Sequence, residues 1–218
     1  MEDAKFPLGA FEDIGYQAVF NGQKTYNGVA ILSRARMEDV SKDMVGFEDH
    51  QKRVIAATVN GVRVVCVYIP NGQSVDSDKY QYKLKWLAAL QTYMQNAIAE
   101  YGDVALLGDY NIAPDDRDVH DPKAWEGQVL CSVPERDAFR SLIGLGLVDS
   151  YRLFDQPENC FSWWDYRMNG FKRNLGLRID HILLTSALAG RCSASMIDVE
   201  PRKLERPSDH APVVADIS

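Results

Sequence analysis

Two residues with chemical potential, Asp109 and Asn111, close the stretch Val104–Asn111, in which an apolar run (Val104, Ala105, Leu106, Leu107) ends at Gly108. The run reads as a strand buried on both faces, and the crevice beyond strand ends is where ligands bind in open α/β sheets. Alternation puts Asp109 and Asn111 on one side, with Tyr110 turned away. Asp180 is set among Ile179, Ile182 and Leu183, where an ionised carboxylate is costly without a partner. His210, next to Asp209 in a C-terminal turn, supplies an imidazolium that could be that partner, and a histidine held by a carboxylate is a recurring acid–base pair. Carboxylates converging with an amide and an imidazole also suit a hard cation such as Mg2+, which prefers oxygen ligands and keeps waters for a phosphate. Taken singly, each residue has a plainer reading: a Gly-Asp turn, a core aspartate satisfied by backbone amides, a surface histidine. Their joint placement is what points to chemistry.

The elements that must position these residues are many strands and few helices. Pro7–Asp13 reads as a short helix, Tyr16–Phe20 and Gly28–Leu32 as strands, and Asn21-Gly22 as a turn between them. The charged segment Ser33–Gln51 reads as a loop. Arg53–Val59 and Val62–Ile69, separated by Asn60-Gly61, form the clearest hairpin, and its second strand runs into Tyr68-Ile69-Pro70-Asn71-Gly72. Ser77 caps a helix whose apolar face is Tyr80, Leu84, Leu87, Met94 and Ile98, with Lys79, Lys83 and Lys85 read as a solvated face. Ile112–Leu130 is a polar loop too long to be mere connection. Pro134–Leu145 is expected to be helical. Leu177–Leu184 is expected to be a strand with Asp180 in its interior, and Met196–Val199 and Val213–Ile217 are the last strands. Hairpins mixed with helices suggest a mixed sheet stack rather than a doubly wound parallel sheet.

Composition narrows the class. The chain has 218 residues with 46% apolar and 25% charged content, ordinary for a globular protein and consistent with a single domain over 1–218. No apolar run is long enough to span a bilayer. Cys66, Cys131, Cys160 and Cys192 are widely spaced with no CxxC pair, which fits reduced thiols and a cytoplasmic location. The net charge of −7 argues against holding nucleic acid by bulk electrostatics, though a carboxylate-rich metal site itself adds negative charge.

The motifs YIPNG, LLGDYNIAP, GLVDSYR, FSWWDYR, GLRIDHILL and PSDHAPV, in this order along nearly the whole chain, resemble the exonuclease III family of DNA-repair nucleases. That resemblance implies a DNase I-like four-layer α/β sandwich, with two mixed β-sheets packed face to face and helices outside. It implies Mg2+ or Mn2+ dependence and phosphodiester hydrolysis on double-stranded DNA, at abasic sites and 3′ ends. The family's activities are 3′→5′ exodeoxyribonuclease, abasic-site endonuclease and 3′-phosphatase. By motif, Asp109 would position or deprotonate the attacking water and Asn111 would orient it or stabilise the transition state. His210, paired with Asp180, would bind the scissile phosphate, and Tyr68 would contact the phosphate or leaving oxygen. Asp209, with Asp109 and Asn111, would hold the metal. Asn71 would bond a backbone phosphate, and Trp163, Leu177 and Ile179 would form the apolar pocket for a flipped-out abasic sugar. At least one of Trp163 and Trp164 is expected in the core.

The resemblance also implies that the chain starts late. Met1–Pro7 matches the segment just after the family's Gln-Glu-Thr-Lys strand, whose Glu binds the metal. An N-terminally truncated sandwich is therefore expected, with weakened activity and a tendency to self-associate in a family that is typically monomeric. Two rival functions stay open in the sequence. One is a catalytically dead DNA-binding remnant; the other is a phosphodiesterase acting on a phosphate ester that is not nucleic acid.

Overall fold

A computed structural model describes residues 1–218. In chain order the elements are α1 (Leu8–Glu12), β1 (Gln17–Gly22), β2 (Gly28–Ser33), β3 (Met37–Lys42), β4 (Val54–Val59), β5 (Val62–Tyr68), α2 (Asp78–Tyr101) and β6 (Val104–Asp109). They continue with α3 (Pro122–Trp125), α4 (Val133–Ile143), β7 (Leu147–Asp149), β8 (Trp163–Trp164), β9 (Gly176–Leu177), β10 (Asp180–Thr185), α5 (Ser186–Ala189), β11 (Cys192–Ile197) and β12 (Val213–Ile217).

The centre is a six-stranded mixed sheet in the order β3-β4-β5-β6-β10-β7. Asn60 and Gly61 take φ of 49° and 81°, the left-handed pair that a two-residue hairpin needs between β4 and β5. β5 then crosses through α2 to β6, its only parallel neighbour. The Ser77 hydroxyl accepts from Tyr80 N–H and caps α2. Trp86, Leu87, Leu90 and Met94 of α2 and Phe139 and Leu142 of α4 pack on Val65, Val67 and Leu106 to form the main core. Each such side chain contributes about 1.5–3 kcal/mol by leaving water.

The opposite face is covered by the antiparallel pair β1-β2, where Ile31 packs on Ile55 and Ala57, and β12 of the antiparallel pair β11-β12 lies against β10. The expected layered α/β sandwich is therefore present. Mixed pairing is confined to the six-stranded sheet, and the second β layer consists of these antiparallel pairs.

Four local expectations are corrected. Ser33–Gln51 is not all loop: β3 is an edge strand on β4, and its Met-Glu-Asp-Val-Ser-Lys sequence is largely exposed, as edge strands often are. Asn21-Gly22 stays inside β1, and Gly22 N–H donates to Asp3 Oδ1 at 2.6 Å. A Cβ at Gly22 would sit 2.3 Å from the Met1 carbonyl, so this glycine serves a close approach and not a turn. Asp180 opens β10 and is not interior to one long strand, because the chain breaks pairing between β9 and β10. Lys79 and Lys85 are exposed, but Lys83 is fully buried.

Candidate active site

The site grows from strand register. β6 lies between β5, running parallel, and β10, running antiparallel, so Tyr68 pairs with Asp109 and Asp109 pairs with Asp180. Three functional side chains thus line one end of the sheet because three strands end or begin there. Gly108 permits the close packing: its φ is 139°, and a Cβ there would lie 1.9 Å from the Val67 carbonyl oxygen.

Past Asp109 the chain turns sharply. Tyr110 is buried in the main core, its N–H donating to the Ile179 carbonyl at 2.8 Å, and Asn111 adopts a left-handed φ of 49°. The Asp109 carboxylate holds this turn by accepting from Asn111 N–H at 2.8 Å and Asn111 Nδ2 at 3.0 Å. The Asn111 amide oxygen accepts from Asn71 Nδ2 at 2.8 Å, which links the turn after β5 to the turn after β6.

His210 arrives from the other side. A bridge joins Trp163 to His210, Trp164 N–H donates to the Asp209 carbonyl, and Ala211 N–H donates to the Ser162 carbonyl. The Ser162 hydroxyl in turn accepts from the N–H groups of Ile179 and Asp180, at 3.0 Å each, and fixes the start of β10. The result is His210 Nδ1 at 2.9 and 3.1 Å from the two Asp180 oxygens. Asp209 faces Trp163, accepting from its Nε1–H at 3.0 Å.

The charges are set by this geometry. Burial, then the neighbouring Asp180 charge, raises the Asp109 pKa to about 7, against the opposing pull of His210, the Asn111 N–H and Lys83. Burial disfavours a charge on His210, but its hydrogen bond to Asp180 and the charges of Asp180, Asp109 and Asp209 raise its pKa to about 9. His210 is therefore an imidazolium at neutral pH, paired with a carboxylate and half-open to solvent. Burial and the Asp109 charge raise the Tyr68 pKa, so it stays a phenol that can donate.

Asp109, Asp180 and His210 offer ligand atoms all within 4.8 Å of one another, a possible acidic metal site. The His210–Asp180 pair satisfies itself, so the unneutralised charge that a cation would relieve sits on Asp109. Among the expected ligands, Asp109 and Asp209 have carboxylates. The Asn111 amide oxygen is already taken by Asn71.

Of the remaining expected residues, Trp163 is partly exposed and Trp164 is core, at 2% exposure. Leu177 and Ile179 are buried in a cluster with Ala113, Val119, Leu130 and Cys131, and Trp163 packs against it. A cavity of about 360 Å3 is lined by Trp163, Trp125, His120, Leu175 and Met168. Three buried polar residues near the site are not visible as such in the sequence. Ser162 lies inside FSWWDYR, but a serine gives no sign of which amides it will bond. Arg178 lies inside GLRIDHILL and is buried, bonding Asp118 and Asp149. Lys83 is hidden by its polarity.

Comparison with known proteins agrees with this geometry. The family described as Endonuclease/Exonuclease/phosphatase matches residues 2–210. Exodeoxyribonuclease III of Haemophilus influenzae is 37% identical over 230 residues, spanning 98% of this chain and 85% of that protein. A 3′ phosphatase from Neisseria, solved bound to a product DNA hairpin, superposes with a TM-score of 0.98 at 46% identity, covering 100% of this chain and 85% of that one. An AP endonuclease from Archaeoglobus fulgidus gives a TM-score of 0.95 at 40% identity, with the same coverages. This chain belongs to the endonuclease/exonuclease/phosphatase family, on the branch of its exonuclease III relatives.

Proposed function

We propose that this protein is a metal-dependent DNA-repair phosphodiesterase that acts on double-stranded DNA at abasic sites and 3′ ends. Its activities would be abasic-site endonuclease, 3′→5′ exodeoxyribonuclease and 3′-phosphatase. The observation that carries the reading is the strand-end register of Tyr68, Asp109 and Asp180, with His210 hydrogen-bonded to Asp180. Relatives named as exodeoxyribonuclease III, 3′ phosphatase and AP endonuclease support the substrate class.

In this reading a water attacks phosphorus while its proton passes to the Asp109 carboxylate, and the bond to the leaving oxygen breaks. Asn111 orients Asp109 through the two bonds it already makes. The His210 imidazolium, held by Asp180, binds a non-bridging oxygen and offsets the charge that grows there. The Tyr68 phenol donates to the phosphate or to the leaving oxygen, and Asn71 bonds a flanking phosphate. Asp109 and Asp209 would hold Mg2+ or Mn2+, with Asn111 joining by releasing Asn71; the ion would supply charge neutralisation at the phosphate. Trp163, backed by Leu177 and Ile179, would meet an abasic sugar turned out of the duplex. The four cysteines are free, which suits a reducing cytoplasm. No helix is long and apolar enough to cross a membrane.

The test is cleavage of a duplex carrying one tetrahydrofuran abasic analogue, alongside release of nucleotides and phosphate from a labelled 3′ end. Wild type with Mg2+ should do all three, and Asp109→Asn should do none while still binding the duplex. Binding without cleavage by the wild type would overturn the reading.

A further inference from the structure

Beneath the turns that carry Asn71 and Asn111 lies a lysine that solvent does not reach. The side chains of Lys83 and Glu135 are both 0% exposed. The Lys83 ammonium has three protons, and it donates to Glu135 Oε1 at 2.5 Å, the Asn111 carbonyl at 2.6 Å and the Asn71 carbonyl at 3.1 Å. Glu135 is satisfied as well: it accepts from Leu130 N–H, Ser132 N–H and the Ser132 hydroxyl. The lysine stem packs on the same turn, with its Cδ 3.2 Å from where a Cβ on Gly72 would stand.

A buried ion pair adds little net stability compared with well-packed apolar residues of the same volume. What this pair supplies is direction. Its donors grip two carbonyls that lie 40 residues apart, on either side of the Asn71–Asn111 side-chain bond. Asn111 has a left-handed backbone, which an L residue adopts at some cost and keeps only when its surroundings impose it.

We propose that Lys83 is a positioning residue for the reaction, an internal clamp that sets the Asn71 and Asn111 turns in register and so aims Asp109. The inference rests on the reading of Asp109 and Asn111 as the reacting centre. Misplacing such a group by about 1 Å can lower turnover about 100-fold.

The experiment removes both charges together, as Lys83→Met with Glu135→Gln, so that no unpaired ion is left inside. The duplex with one abasic analogue is the substrate, and amide hydrogen exchange is read on the same protein. With the clamp gone, kcat should fall about 10- to 100-fold with KM for the duplex little changed. Exchange should quicken at Tyr110–Ile112 and not in β10. Asn71→Ala should cost far less in this background than in wild type, because both changes release the same turn. Glu135→Gln alone leaves the Lys83 ammonium unpaired in the interior and should destabilise the fold more than the double change does. Unchanged kcat and exchange in the double variant would overturn the clamp, as would full additivity with Asn71→Ala. Unfolding of the double variant, which leaves no unpaired ion inside, would make the pair a folding element and also overturn it. A wild type that cleaves nothing would instead defeat the functional reading, and the exchange comparison would still decide the clamp.

Discussion

The indole Nε1–H of Trp163 donates to Asp209 Oδ2 at 3.0 Å, so a residue expected to hold substrate also holds a carboxylate expected to hold metal. The two roles can be pulled apart. Trp163→Phe keeps the ring and loses the N–H donor, worth about 1.5–3 kcal/mol when it serves a charged group. It should raise the Mg2+ concentration for half-maximal cleavage with little effect on abasic-site preference. Trp163→Ala also removes the ring, and aromatic contacts are worth about 1–3 kcal/mol per base-sized group. It should slow abasic-site cleavage more than digestion of an intact 3′ end. Rates measured against Mg2+ for both substrates decide it, and equal losses in both assays would assign Trp163 to packing.

His210 bonds both oxygens of Asp180, so the two should act as one unit. Asp180→Asn and His210→Ala are each expected to lower kcat by about 100-fold or more. The double variant should be little worse than either single, since breaking a pair twice removes nothing further. A cycle of single-turnover rates checks this, and additive losses would break the pairing.

Asp109, Asp180 and His210 are legible in the sequence because each sits in a recognisable pattern: an apolar run ending in a turn, a charge among aliphatics, a histidine in a polar turn. The register that makes Asp109 face Asp180 is not legible, because it depends on β6 and β10 being neighbours though far apart in the chain. β3 escapes because an edge strand need not alternate in polarity when neither face is well covered. Lys83 escapes for a different reason. Helical spacing places it on the apolar face, three residues after Tyr80 and four before Leu87, but its charge reads as solvated, and only tertiary structure brings Glu135 across to pair with it. Such a satisfied buried charge looks, in sequence, like any solvated lysine.

Arg178 is equally hidden and allows a stability prediction. It is 2% exposed and donates Nε to Asp118 Oδ1 at 2.6 Å, Nη2 to Asp149 Oδ2 at 2.8 Å and Nη2 to Asp118 Oδ2 at 3.2 Å. Removing it strands the Asp149 carboxylate in the interior and leaves Asp118 with Arg152 alone, an effect of about 3–5 kcal/mol. Arg178→Ala should lower the unfolding free energy from urea titration by that much, and Arg178→Lys should recover only part, because an ammonium cannot bridge both aspartates with a planar fork. A urea midpoint equal to wild type in Arg178→Ala would deny the network its structural role.

Metal and pH should act on the same groups. The proposed reaction uses Asp109 ionised and His210 protonated, and their pKa values of about 7 and about 9 would bracket its working range. At low divalent concentration kcat should rise through pH 7 and fall through pH 9. A cation beside Asp109 favours its charged form, so added Mg2+ or Mn2+ should move the acid limb downward and leave the alkaline limb in place. EDTA should abolish turnover. Stability must carry the same signature. His210 is raised from 6.5 to about 9 on folding, so its contribution is complete below 6.5 and is lost as pH climbs through 9. Asp109, raised from 3.8 to about 7, also binds its proton more tightly when folded, so the folded state is weakened as pH climbs from 3.8 through 7. In EDTA both act in one direction, and the thermal midpoint should fall between pH 6 and pH 10. Asp180→Asn should flatten the upper part of that fall, by removing the partner that raises His210. Calorimetry of wild type and Asp180→Asn, with and without Mg2+, tests the whole set. A midpoint that rises with pH in EDTA would mean that these two groups do not carry the charges assigned to them.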